Sequence, residues 1–239
     1  MDIDETISAI VEPLDRSYRD HADPSEAERM SRYMRDQFPF LGLKSPTRQA
    51  LTRDWMVQFR KADEATISGV ARRLWTLPER EFQYTACGLL ERSATKLSAA
   101  ALALCRDLLI TKSWWDTVDS LASHAVGTLV LRHPEQVRLM DEWLESENMW
   151  LRRTALLHQL KYKGRTDTDR LFGYCLARAH ESEFFIRKAI GWALRQYSWT
   201  DPEAIEAFVA AHEDVLSPLS KREALLAING GRGGARQSE

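Results

Sequence analysis

The chain has 239 residues, of which 44% are hydrophobic and 28% charged, and a net charge of −2. That size and balance suit one large globular domain or a repeat array and exclude a disordered chain. No apolar run reaches the roughly 18 residues of a membrane span. The acidic start, Met1-Asp-Ile-Asp-Glu, lacks the basic and apolar regions of a secretion signal, so a cytoplasmic protein is expected.

Helix signals recur along the chain. Asp23-Pro24 opens one helix, Ser45-Pro46 a second, Pro78-Glu-Arg-Glu a third running through Leu90, His133-Pro134 another and Asp201-Pro202 another. Apolar residues between them repeat at i, i+3, i+4, as in Leu102, Cys105, Leu108 and Leu109. Alternating strand patterns do not appear. The pattern predicts an all-α protein of about a dozen helices of roughly 10 to 17 residues. Helix pairs every 35 to 45 residues or so suggest a curved α-solenoid of HEAT type with a concave basic groove. No linker splits the chain, so residues 1–229 are expected as a single domain. The Gly/Arg tail 230–239 is expected to be unstructured.

Cys87, Cys105 and Cys175 sit in apolar helical patterns without metal-ligand spacing, and read as buried free thiols. No spacing of histidines suggests a metal, and no cofactor motif is present. Charge is unevenly spread. From Asn148 to Tyr197 there are ten Lys/Arg against four Asp/Glu, on a chain whose net charge is −2. Such a basic segment can attract a polyanion locally.

Three segments carry candidate chemistry. In Thr111-Lys-Ser-Trp-Trp-Asp-Thr-Val-Asp119, Ser113 reads as the N-cap of a helix to about Val130. Trp114 then falls on its core stripe, and Trp115 and Asp119, spaced i, i+4, share its edge. A carboxylate beside an indole at an apolar edge is costly unless it is used. In Phe184–Tyr197, Lys188, Trp192 and Arg195 cluster away from the apolar face, as suits stacking with an anion grip. Gly191 in mid-helix suggests close approach of another element or of a ligand backbone. Arg153, with Lys161 and Lys163 beyond it, adds a third basic element fit for phosphate. In a solenoid these three elements would line one groove.

At these residues the chain resembles the AlkD-like DNA alkylation-repair glycosylases. The matching blocks are Arg32-Tyr-Met with Phe40-Leu-Gly42, Leu74-Trp-Thr-Leu-Pro-Glu-Arg-Glu-Phe82, the block ending at Asp119, Gln159–Lys163, Lys188–Trp192 and Pro218–Ala224. They run in order from about residue 20 to 225. Segment 92–104, the acidic N-terminus and the tail depart from the family pattern. The resemblance implies HEAT-like repeats that hold duplex DNA and hydrolyse the N-glycosidic bond of 3-methyladenine and 7-methylguanine. It implies a catalytic Asp119 flanked by Trp115 and Trp192. It implies DNA contacts from Tyr33, Arg153 and Arg195, to which Lys188, Lys161 and Lys163 are added on charge. It further implies that the target base need not be flipped. A solenoid of this size is expected to work as a monomer, and the lack of a long apolar run leaves no membrane partner expected. No lysine is placed for Schiff-base chemistry, so a monofunctional enzyme is expected. The competing reading is a non-catalytic HEAT-repeat protein that binds DNA structures or a protein partner.

Overall fold

A computed structural model describes residues 3–235 of the chain. Every regular element among them is helical. The helices gather into two compact units, Met1–Leu108 and Leu109–Glu239. The sequence, read as one domain, offers no linker at that division.

The first unit contains α1 (Ile3–Asp20), α2 (Pro24–Tyr33), α3 (Ser45–Thr52), α4 (Glu64–Thr76), α5 (Arg80–Ser93) and most of α6 (Ala101–Leu109). Asp23 caps α2 as expected, accepting hydrogen bonds from the amides of Ser25 and Glu26, with Pro24 as the first helical residue. The core is built on Leu14, Tyr18, Ile67, Leu74, Phe82 and Leu89, all essentially inaccessible to solvent.

One buried carboxylate organises this unit. Glu81 on α5 accepts hydrogen bonds from the amides of Leu41, Gly42 and Leu43 at 2.9 to 3.1 Å. Gly42 has φ +88, and a Cβ there would lie 2.1 Å from the Asp23 carbonyl oxygen. Only glycine fits such a turn. The blocks around Phe40 and Phe82 therefore meet through backbone satisfaction, and their role is structural.

The second unit contains α7 (Trp115–Ser120), α8 (Gly127–Arg132), α9 (Val137–Leu144), α10 (Met149–Leu157), α11 (Thr168–Ala177), α12 (Phe184–Ser198), α13 (Pro202–Ala211) and α14 (Pro218–Ala235). Alternate helices lie side by side: α7 against α10, α10 against α12, and α12 against α14. This is the layering of an α-solenoid, in which every second helix belongs to one sheet of helices. Helix α14 continues through Gly230 to Ala235, so the tail expected to be unstructured is helical that far. Residues 236–239 of the tail lie outside the described residues.

The three cysteines are buried free thiols, as their patterns predict. No helix among the described residues is long and apolar enough to cross a membrane.

His158, just past α10, is fully buried between Tyr162 and Tyr174, and its Nδ1 lies 2.7 Å from the Ala155 carbonyl oxygen. Burial lowers its pKa from 6.5 to about 4. The unfolded chain therefore binds a proton there that the folded chain refuses. Stability should fall as pH drops from about 6.5 toward 4, and His158→Gln should flatten that slope in urea melts. An unchanged slope would contradict the buried neutral imidazole.

Candidate functional site

Residues 115–132 form one continuous helix with a π-helical turn over Leu121–Val126 between α7 and α8. The sequence predicts a regular helix from Ser113. Instead Ser113 Oγ donates back to the Leu109 carbonyl oxygen at 2.6 Å. Trp114 takes the N-cap position in extended conformation, φ −158 and ψ 161. It consequently leaves the core stripe and joins an aromatic cluster, 5.9 Å from the Trp150 ring and 5.3 Å edge-on from Phe185. The π-turn starts two residues after Asp119, and such turns often sit at functional sites.

Asp119 is the centre of the arrangement. Arg153 Nε and Nη2 donate to its two carboxylate oxygens at 2.7 and 2.8 Å. Arg153 Nη1 donates to the Phe185 carbonyl oxygen, and the guanidinium lies 5.8 Å from the Phe185 ring centre. The arginine side chain is 5% exposed and the aspartate 14%. One guanidinium thus ties α7, α10 and α12 together. Burial pushes the Asp119 carboxyl above its ordinary 3.8, and nearby Asp116 adds to that push, while the hydrogen bonds and charge of Arg153 hold it back.

Arg153, expected to contact phosphate, is held instead within the protein in this structure. Its guanidinium is buried and committed to Asp119, so it orients the carboxylate instead of projecting toward solvent. Helix α10 is packed by α7, α9 and α12. A charge on such a helix must be paired.

On α12, Trp192 is half-buried between two cations that share one acid. Lys188 Nζ lies 2.9 Å from Glu223 Oε1, and Arg195 Nη1 lies 3.0 Å from Glu223 Oε2. Glu223, on α14, is 9% exposed, whereas Lys188 and Arg195 keep 38% and 29%. Burial raises the Glu223 carboxyl, but the two cations outweigh it and leave the pKa below 4.5. Gly191 explains how Glu223 reaches them: a Cβ there would sit 2.4 Å from Glu223 Cβ and 2.8 Å from the Ser220 carbonyl oxygen. The close approach expected at Gly191 is therefore made by α14.

The structure places Asp119, Arg153, Trp192 and Glu223 on α7, α10, α12 and α14, the four neighbours of one helix layer. Trp115 is half-buried at the first residue of α7. Lys161 and Lys163 are exposed beyond α10, with Lys163 opening a short turn at φ 54. Tyr33 ends α2 in the first unit and is 73% exposed. Sequence reasoning missed Glu223, although it lies inside the Pro218–Ala224 block, and missed the Trp114/Trp150/Phe185 cluster. The signal for Glu223 was Gly191, which announces a neighbour without naming it.

Residues 14–228 match the family model described as DNA alkylation repair enzyme. Among solved structures, the chain is similar to a predicted DNA alkylation repair enzyme from Enterococcus faecalis, at 34% identity and a TM-score of 0.79, covering 85% of this chain and 95% of that one. It also shares its fold with smu.31 from Streptococcus mutans UA159, at 16% identity and a TM-score of 0.58, over 75% of this chain and 94% of that one. No curated protein matches it.

Gly191→Ala should lower the unfolding free energy by about 1 to 3 kcal/mol, because overpacking against α14 exceeds the gain in helix propensity. Equal or greater stability in urea melts would contradict the α12–α14 contact.

Proposed function

The chain belongs to the DNA alkylation repair enzymes, and on that footing we propose that it hydrolyses the N-glycosidic bond of cationic N3- and N7-alkylated purines, 3-methyladenine and 7-methylguanine, in duplex DNA. The observation that carries this reading is the Asp119 carboxylate, gripped by Arg153 beside aromatic side chains.

An N3- or N7-alkylated purine already carries a positive charge. When the C1′–N bond breaks, its electron pair goes to the base, which leaves neutral. Protonation by a general acid is unnecessary. Positive charge then develops on the deoxyribose. Asp119 stabilises it and orients a water whose oxygen bonds to C1′, the water's proton passing to the carboxylate or to solvent. Each Asp119 oxygen spends one lone pair on Arg153 and keeps another for this work.

Arg153 is the positioning residue. Its fork fixes the carboxylate plane, and its charge favours the ionised form that the chemistry needs. Trp115 and Trp192 pack against the sugar face, where electron-rich rings favour developing positive charge. Lys188, Arg195, Lys161, Lys163 and Tyr33 hold the DNA backbone, positioning the duplex without reading its sequence. The lesion is engaged through its backbone without base flipping. No amine joins the reaction, so the product is an abasic site in an unbroken strand. The enzyme works as a cytoplasmic monomer without a cofactor.

Release of 7-methylguanine from a duplex oligonucleotide tests this. The wild type should release the base, and Asp119→Asn should lose about 100-fold or more, the scale of one electrostatic stabiliser. Removing one charge of a buried pair costs about 3 to 5 kcal/mol, so the variant is assayed below its melting temperature. The wild-type rate should fall as pH drops through the Asp119 pKa, which lies above 3.8. Full activity in a folded Asp119→Asn would end the catalytic reading.

A further inference from the structure

Helix α12 carries a row that its role at the lesion uses only in part. Phe185, Lys188, Trp192, Arg195 and Trp199 follow one another at steps of three, four, three and four residues. At 100° per residue they fall within an arc of about 80°. Trp199 follows the last residue of α12 and keeps helical angles, φ −71 and ψ −17, so the register continues to it. The row alternates ring and cation over its whole length. The opposite side of the helix, Ile186, Ala189, Ile190, Ala193 and Leu194, is the buried one.

Trp199 is 73% exposed, whereas Phe185 and Trp192 are half-buried. Its ring makes no aromatic or cation contact among the described residues. A single exposed apolar side chain is ordinary. An exposed indole in register with an aromatic–cation row, two turns beyond Trp192, is a different matter. Its surroundings repeat those of Trp192. Trp199 and Lys163 both line one cavity of about 220 Å³, together with Gln196, Thr200 and apolar residues such as Leu156 and Leu160. Arg195 precedes Trp199 on the row by four residues, as Lys188 precedes Trp192.

We propose that Trp199 is a further DNA-packing residue, which lays its ring on the deoxyribose backbone beyond the lesion while Lys163 and Arg195 hold the adjoining phosphates. This rests on the duplex-binding reading above. Seven residues of helix span about 10 Å. One strand rises about 3.4 Å per nucleotide. Trp199 therefore acts no more than about three nucleotides from the sugar that Trp192 covers. The partner is identified by the row itself: sugars offer apolar faces and phosphates offer charge, in alternation. An apolar protein surface would offer no charge to the exposed Lys163, nor to the parts of Lys188 and Arg195 that stay exposed above Glu223.

The test compares wild type, Trp199→Ala and Trp199→Phe in binding to undamaged duplexes and in single-turnover release of 7-methylguanine. Long-flanked duplexes are compared with two truncated ones, one cut to a single nucleotide on the 5′ side of the lesion and the other to a single nucleotide on its 3′ side. On long duplexes Trp199→Ala should weaken binding by about tenfold, within the range of one lost stacking platform. The loss should appear in the half-saturating enzyme concentration and not in the maximal rate. The salt slope should stay unchanged, because no charge is removed. Trp199→Phe should recover most of the affinity. On one of the two truncated duplexes the wild type should fall to the level of Trp199→Ala. Equal binding by wild type and Trp199→Ala on long duplexes would overturn the proposal, as would a loss of the same size on both truncated duplexes. If instead the wild type binds no duplex at all, the DNA reading itself fails, which these arms separate from failure at Trp199.

Discussion

The pairing of Asp119 with Arg153 is the constraint on which the second unit depends. It places two opposite charges where water is largely excluded, and it closes only if three helices meet at one point. Arg153 leaves α10, takes the carboxylate of α7 in a fork, and takes a backbone carbonyl at the start of α12. Loss of either charge would strand the other in a poorly solvated position, so the pair enforces its own geometry. On the proposed mechanism this carboxylate must be held in orientation and kept from neutralising as it is buried. The same guanidinium meets both needs, which is why the raised pKa of Asp119 reflects burial tempered by its partner.

A second carboxylate does comparable work further along the same helix layer. Glu223 gathers Lys188 and Arg195 to either side of Trp192 and does so from a helix that only a glycine could admit. The cations remain partly exposed while the acid beneath them is buried. Around Trp192, two partly exposed cations are thus braced by one buried acid. Repeat architecture makes this possible, because neighbouring helices of one layer present side chains at matching heights. Preorganisation of this kind lowers the cost of ordering long cationic side chains when a polyanion arrives.

Much of this was legible in local sequence. Asp23-Pro24 and Asp201-Pro202 mark helix starts because capping chemistry is confined to a few adjacent residues. The clustering of Lys188, Trp192 and Arg195 follows from helical spacing alone. What was not legible depends on residues far apart. Arg153 reads as a surface cation until α10 is known to be packed by α7, α9 and α12, and its partner lies 34 positions away. The run Thr154-Ala-Leu-Leu157, apolar around the helix, was a usable sign that a neighbouring arginine needs an internal acid. The shift of the N-cap from Ser113 to Trp114 and the π-turn after Asp119 have no comparable signature. The first accompanies the packing of the Trp114 indole against Trp150 and Phe185, residues far off in the chain.

On the proposed mechanism Asp119 meets positive charge developing on the deoxyribose, and affinity for an intermediate mimic reads out that encounter. Duplex DNA bearing a cationic azasugar abasic analogue would be compared with the same duplex bearing a neutral tetrahydrofuran, for wild type and folded Asp119→Asn. The wild type should prefer the cationic sugar by about tenfold or more, as expected of a transition-state-like charge, and the variant should lose the preference. A wild type indifferent to the charge, or a preference that survives in Asp119→Asn, would contradict that mechanism.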